Sequence, residues 1–129
     1  MATYLDSSAI VKLVVREPES LALRRYLGRR RPLVSSALAR TEVLRALLPA
    51  GDEAIGRGRN VLQRLDLVRV NDRILNAAGI LLPLELRSLD AIHLATAAEL
   101  GDDLDVLVTY DDSMAAAAKR LGHRIARPR

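Results

Sequence analysis

Cysteine is absent from this 129-residue chain, and so are phenylalanine and tryptophan. The first absence excludes disulfides, thiolate catalysis, sulfur-held zinc and iron–sulfur clusters. The second leaves three tyrosines as the only aromatic residues, so stacking bases on aromatic platforms is a poor way for this chain to hold nucleic acid. A core here must be built from Leu, Val, Ile and Ala. No apolar run approaches the roughly 18 residues of a membrane span, and Met1-Ala2-Thr3-Tyr4-Leu5-Asp6 lacks the basic start and long apolar stretch of a signal peptide. The expectation is a soluble cytoplasmic protein with one domain, residues 1–129, since the length suits a single core.

Lysine is scarce too, with Lys12 and Lys119 the only two among 20 basic side chains, while the net charge is +4 and the pI about 10.1. The arginines fall in groups: Arg24-Arg25, Arg29-Arg30-Arg31, Arg57 with Arg59, and Arg120, Arg124, Arg127 and Arg129. Guanidinium contacts phosphate in bidentate fashion, so a polyanionic partner fits this composition. The competing explanation for any one group is a solvated face in an arginine-rich sequence.

The pattern along the chain alternates strands with helices. Residues 2–6 read as a buried strand, followed by a helix to about Arg16 capped by Ser7 or Ser8, and a second helix from Glu19 to Arg30 with Pro18 in its first turn. Leu33–Ser35 reads as a strand, Ser36–Leu48 as a helix stopped by Pro49, and Ile55–Leu65 as a helix weakened by Gly56 and Gly58. Strand Leu67–Val70, helix Asp72–Leu82, helix Ser88–Leu100 capped by Ser88, strand Val106–Tyr110, helix Ser113–Leu121 and a short strand within His123–Ala126 complete the pattern. Strands apolar throughout, separated by helices, predict an α/β fold with a mostly parallel sheet of four to five strands covered by helices on both faces. Ligands of such sheets gather at the carboxyl ends of the strands.

Four carboxylates stand where this pattern converges. Asp6 and Asp111 follow strands, Asp90 opens a helix, and Glu42 lies within one. Each has an ordinary explanation: Asp6 and Asp111, or equally Asp112, can cap helices, Asp90 suits a helix N-terminus, and Glu42 can pair with Arg45. Gathered on one edge, however, the four would repel one another unless a cation sat among them. An oxygen-only set suits Mg²⁺, with Mn²⁺ also possible. Such an ion lowers the pKa of a bound water and steadies an in-line attack at phosphorus, so no covalent nucleophile is needed.

Tyr4-Leu5-Asp6-Ser7-Ser8-Ala9, Thr41-Glu42-Val43, Ser88-Leu89-Asp90-Ala91-Ile92-His93-Leu94-Ala95-Thr96-Ala97 and Val108-Thr109-Tyr110-Asp111 resemble PIN-domain nucleases, and among these the bacterial VapC-type toxins. The resemblance spans the chain in order and spacing, and its most specific part begins at Leu89-Asp90-Ala91. It implies a three-layer PIN-like domain and a Mg²⁺-dependent endoribonuclease whose metal is held by Asp6, Glu42, Asp90 and Asp111, leaving 5′-phosphate and 3′-hydroxyl ends. It also implies that Thr109 supplies a supporting hydroxyl, that a cognate antitoxin silences the toxin, and that the chain forms a homodimer. Ser7 and Asp112, neighbours of Asp6 and Asp111, complete the candidate set. Arg29, Arg30, Arg31, Arg57 and Arg59 are the candidate contacts to the RNA backbone.

Rival functions fit less well. A metal-free ribonuclease would need His93 and His123, the only two histidines, as its acid and base. His93 reads more simply as a partly buried helix residue, or as a neighbour of the metal's ligands. An aspartyl-phosphate enzyme of the haloacid-dehalogenase pattern wants an acid where Ser8 stands. A catalytically silent PIN-like module binding RNA or protein remains the alternative, and retention of all four acids argues against it.

Overall fold

Five short segments become strands in the computed structural model, which describes all 129 residues: β1 (Ala2–Leu5), β2 (Leu33–Ser36), β3 (Asp66–Val68), β4 (Leu104–Val108) and β5 (Ile125–Ala126). They pair in the order β3-β2-β1-β4-β5, every pair parallel. The connecting helices are α1 (Ser7–Val14), α2 (Ser20–Leu27), α3 (Ala39–Leu47), α4 (Asp52–Gln63), α5 (Asp72–Gly79), α6 (Ser88–Glu99) and α7 (Asp112–Arg120). The expected α/β sandwich is present, with a wholly parallel sheet.

Alternation along the strands divides the core. Leu5, Leu33 and Val108 turn to one face and pack with α1 to α4, through residues such as Ile10, Leu23, Val43 and Leu62. Tyr4, Val34 and Leu107 turn to the other face and meet Leu94 of α6 and Met114 of α7. Ile74 and Ala78 of α5 pack onto Ala91 and Ala95 of α6. Right-handed crossovers explain this partition: the chain moves outward from β1 through β2 to β3, then crosses back to β4 and β5. The order therefore reverses beside β1, and the crevice at that reversal is where open parallel sheets bind ligands.

Several boundaries differ from the sequence reading, each for a local reason. Asp6, not Ser7 or Ser8, caps α1 by accepting from Ala9 N–H at 3.0 Å. Pro18 lies ahead of α2, which begins at Ser20, whose hydroxyl accepts from Glu17 N–H and donates to Val15 C=O. α3 begins only at Ala39 because Ser36 continues β2, and Pro49 sits inside a 3₁₀ turn, Leu48–Ala50. α4 starts at Asp52, where two acids favour the positive helix end. α5 stops at Gly79, and Ser88 is the first residue of α6 without acting as its cap. β3 closes at Val68, and β4 runs from Leu104 to Val108. Asp111 is thus not attached to the strand; it accepts from Met114 N–H at 2.8 Å as the cap of α7.

The two α4 glycines have different parts. A β-carbon on Gly58 would lie 2.5 Å from Leu47 Cδ1, so its absence lets α4 close on α3, whereas Gly56 has nothing within 4 Å. No helix is long and apolar enough to cross a membrane.

Candidate active site

Asp6, buried at 3% exposure, stands at the end of β1 beside the point where strand order reverses. Its Oδ1 accepts from Ser8 Oγ at 2.6 Å and from Ala9 N–H, while its Oδ2 accepts from the buried Thr109 hydroxyl. Burial pushes the Asp6 carboxyl above its ordinary range, against the pull of those three hydrogen bonds. Thr109 also accepts from Asp111 N–H at 3.1 Å, tying the two acid-bearing loops together.

Asp90 sits in the first turn of α6. Burial raises its pKa first, the charge of Asp111 next, and Asp6 adds to both, with His93 and Arg87 opposing. Asp90 thus lies within reach of the charges of both Asp6 and Asp111. Asp111 is anchored through Oδ1 by Met114 N–H and Ser113 Oγ. Asp112 faces elsewhere: its exposed carboxylate pairs with Arg127 at 2.7 Å.

Glu42 stands beside this trio and not inside it. Its Oε1 accepts from Ser7 Oγ at 2.5 Å and pairs with His93 Nε2 at 2.6 Å, so the expected partner Arg45 is replaced by a histidine from the opposite helical layer. Burial works to raise Glu42, but the bonds from His93 and Ser7 outweigh it and lower its pKa. His93 is buried, and its Nδ1 meets Tyr4 OH at 2.7 Å. Sequence reasoning passed over Tyr4 and undervalued His93, since a histidine on an apolar helix face gives no sign of its partners.

The arginines divide. Arg29 to Arg31 precede β2 and lie at the amino-terminal edge of the sheet, about one strand length, ~13 Å, from the acidic edge. Arg30 is occupied there by Asp105 at 3.0 Å and by the Tyr26 ring. The structure therefore does not bring this run to the acids. Arg57 and Arg59 are exposed on α4, and Arg59 shares with Arg40 a cleft of about 410 Å³ floored by Leu44, Leu62 and Leu67.

No three Asp, Glu or His side chains, as they stand, converge tightly enough to form a ligand shell. The donor chemistry nevertheless fits a hard divalent cation. The set is oxygen-only, Asp90 is destabilised by its acidic neighbours, and Glu42 and Asp111 are each anchored through one oxygen. Their second oxygens remain for a ligand.

An all-parallel sheet with Asp6, Asp90 and Asp111 near its reversal point defines the class, and comparison with known proteins agrees. The PIN domain model matches residues 3–120, and the chain belongs to that family. It is 65% identical over 127 residues to Ribonuclease VapC46 of Mycobacterium tuberculosis, covering 98% of each chain. It is 40% identical over 129 residues to Ribonuclease VapC35 of the same species, covering 97% of this chain and 96% of that one. Among solved structures it superposes on Mycobacterium tuberculosis VapC20, a sarcin-ricin loop cleaving toxin, with TM-score 0.79, 18% identity and coverage of 98% and 99%. A toxin–antitoxin complex from Klebsiella pneumoniae gives TM-score 0.73 at 20% identity, covering 98% of each chain. These last two likenesses concern the fold.

Proposed function

We propose that this chain is a divalent-cation-dependent endoribonuclease and the toxin of a type II toxin–antitoxin pair, acting in the cytoplasm as a homodimer. The carrying observation is the placement of Asp6 at the end of β1, beside the reversal of strand order, with Asp111 and Asp6 near enough to Asp90 to disfavour its charge, in a chain that closely resembles a named ribonuclease. Asp6, Asp90 and Asp111 would hold the cation, Mg²⁺ or Mn²⁺. Glu42 contributes Oε2 as a fourth oxygen, directly or through water. When bound, the cation supplies a water of lowered pKa and neutralises charge developing at phosphorus.

The chain's own groups do the positioning. Ser8, Thr109 and the Ala9 amide fix Asp6 in one orientation, and Ser7 with His93 keeps Glu42 ionised. Hydrolysis then breaks the P–O3′ bond, leaving a 5′-phosphate and a 3′-hydroxyl. Arg57 and Arg59 are the proposed contacts to the RNA backbone. Their reversal to glutamate should weaken RNA binding and flatten its salt dependence by about one unit of slope per lost phosphate contact.

The deciding experiment incubates purified protein with total cellular RNA and Mg²⁺ or Mn²⁺, beside EDTA and Asp90→Asn controls. Discrete fragments in the metal samples alone are expected, and they name the substrate. Cleavage that persists in EDTA or in the variant refutes the metal-nuclease reading. RNA bound equally well in EDTA and never shortened points to the silent module.

A further inference from the structure

His93 is placed as an apolar-face residue of α6 would be, yet its ring is spent on polar partners from three other elements. Nδ1 meets the hydroxyl of Tyr4 on β1 at 2.7 Å, and Nε2 meets Glu42 of α3 at 2.6 Å and lies 3.4 Å from Ser7 Oγ of α1. α3 covers one face of the sheet and α6 the other, so this contact joins the two layers over the strand ends. Tyr4 is itself fully buried, perpendicular to the imidazole.

The chemistry sets the direction of each bond. An ionised carboxylate can only accept, so the proton of the 2.6 Å contact belongs to Nε2. In the neutral imidazole Nδ1 is then the acceptor, and the buried Tyr4 hydroxyl donates to it. Both Ser7 and His93 engage Oε1, which fixes the carboxylate and leaves Oε2 unused by that pair.

Building on the ribonuclease reading, we propose that Tyr4 and His93 form a positioning pair for Glu42: Tyr4 selects the Nε2–H tautomer of His93, and that N–H holds Glu42 so that only Oε2 serves the site. Groups that orient a metal site from behind its ligands commonly change affinity or activity about 10- to 100-fold when removed. A histidine that merely filled the core would alter stability and leave turnover alone.

The test has two parts on the intact chain. A long-range ¹H–¹⁵N correlation spectrum of the metal-free protein should show His93 protonated at Nε2, with both ring nitrogens displaced in Tyr4→Phe. A ring protonated only at Nδ1, or at both nitrogens, overturns the proposal. In the second part, Mn²⁺ affinity by calorimetry and kcat and KM on RNA are measured for His93→Leu, His93→Gln, Glu42→Gln and the double variant His93→Leu/Glu42→Gln.

His93→Leu should lower kcat about 10- to 100-fold with little change in KM. His93→Gln should recover much of that loss, because its amide can donate to the same oxygen and it keeps the proposal testable if the leucine variant misfolds. The double variant should be no worse than Glu42→Gln, in Mn²⁺ affinity as in kcat. Wild-type kcat in folded His93→Leu, or losses that multiply in the double variant, overturn the proposal. The nitrogen spectrum and the Mn²⁺ titration need no RNA, so they decide the matter even for a protein that cleaves nothing, and failure of the ribonuclease reading stays distinct.

Discussion

Arg127 Nη1 lies 2.7 Å from Asp112 Oδ1, while Nη2 of the same guanidinium donates to Tyr110 C=O. The C-terminal segment thereby grips both neighbours of Asp111 and turns Asp112 away from the acidic edge. The two adjacent acids therefore have different surroundings, Asp111 capping α7 and Asp112 paired with Arg127. Asp111→Asn should keep its helix cap, since Asn caps about as well as Asp, yet lose at least about 10²-fold in kcat. Asp112→Asn breaks only an exposed pair worth about 0–1 kcal/mol and should stay within a few-fold of wild type in the same RNA cleavage assay.

Asp90 is a proposed cation ligand whose charge its surroundings disfavour. Burial, Asp111 and Asp6 all disfavour its charge, so Asp90→Asn should raise the melting temperature in EDTA while abolishing cleavage. A divalent cation binding only the folded state stabilises it by mass action, about 2.7 kcal/mol at 100-fold excess over Kd. Scanning calorimetry with and without Mg²⁺ should therefore show a cation-dependent rise for the wild type and a much smaller one for the variant.

Thr109 serves two masters, donating to Asp6 and accepting from Asp111 N–H. Thr109→Val keeps the shape and removes both bonds at a fully buried position. Leaving buried polar groups unsatisfied costs about 1–3 kcal/mol. Urea unfolding should show that loss, and cleavage should fall as well, whereas Thr109→Ser should retain most of both.

The α4 glycines should respond with opposite signs. Gly56→Ala meets open space and should stabilise by about 0.5–1 kcal/mol. Gly58→Ala drives a methyl into Leu47, which is wholly buried and has no solvent to swing into. Overpacking of about 1–3 kcal/mol should outweigh up to about 1 kcal/mol of helix propensity. Denaturant midpoints measured side by side distinguish the two.

His123 has a buried Nε2 without a partner, and burial lowers its pKa below the ordinary 6.5. As pH falls through 6.5, the unfolded chain takes up this proton before the folded one, so stability declines through the window from 6.5 down to the depressed folded value. Unfolding free energies at pH 7.5 and pH 5 should fall further for the wild type than for His123→Leu. Equal losses would show that other groups govern the acid limb.

Where the candidate acids lie could be read in part without coordinates, for reasons that differ residue by residue. Asp6 was legible because an acid closing an apolar strand belongs at the carboxyl edge of a parallel sheet. Asp90 was legible from its place at a helix start. Asp111 was read both as the first polar residue after a strand and as a possible cap of the last helix, and the cap is what the structure shows. Glu42 was identified with the wrong local partner, because helical spacing offers Arg45 and says nothing about a histidine 51 positions away. That Arg29 to Arg31 sit at the amino-terminal edge of the sheet was not legible, because clustering in sequence carries no information about which edge the cluster occupies.

Local and periodic properties were thus determined by the sequence alone: an α/β chain, a parallel sheet, acids aimed at its carboxyl edge, and a core without aromatic platforms. These depend on neighbours a few residues apart, whose geometry the backbone dictates. Only the tertiary structure decided that the charges of Asp6 and Asp111 reach Asp90, that Arg127 pairs with Asp112, and that Tyr4 and His93 stand behind Glu42. Those relations join positions up to 89 residues apart. Chain closure through the sheet and its two helical layers brings them together, and no local pattern encodes which distant atoms will meet.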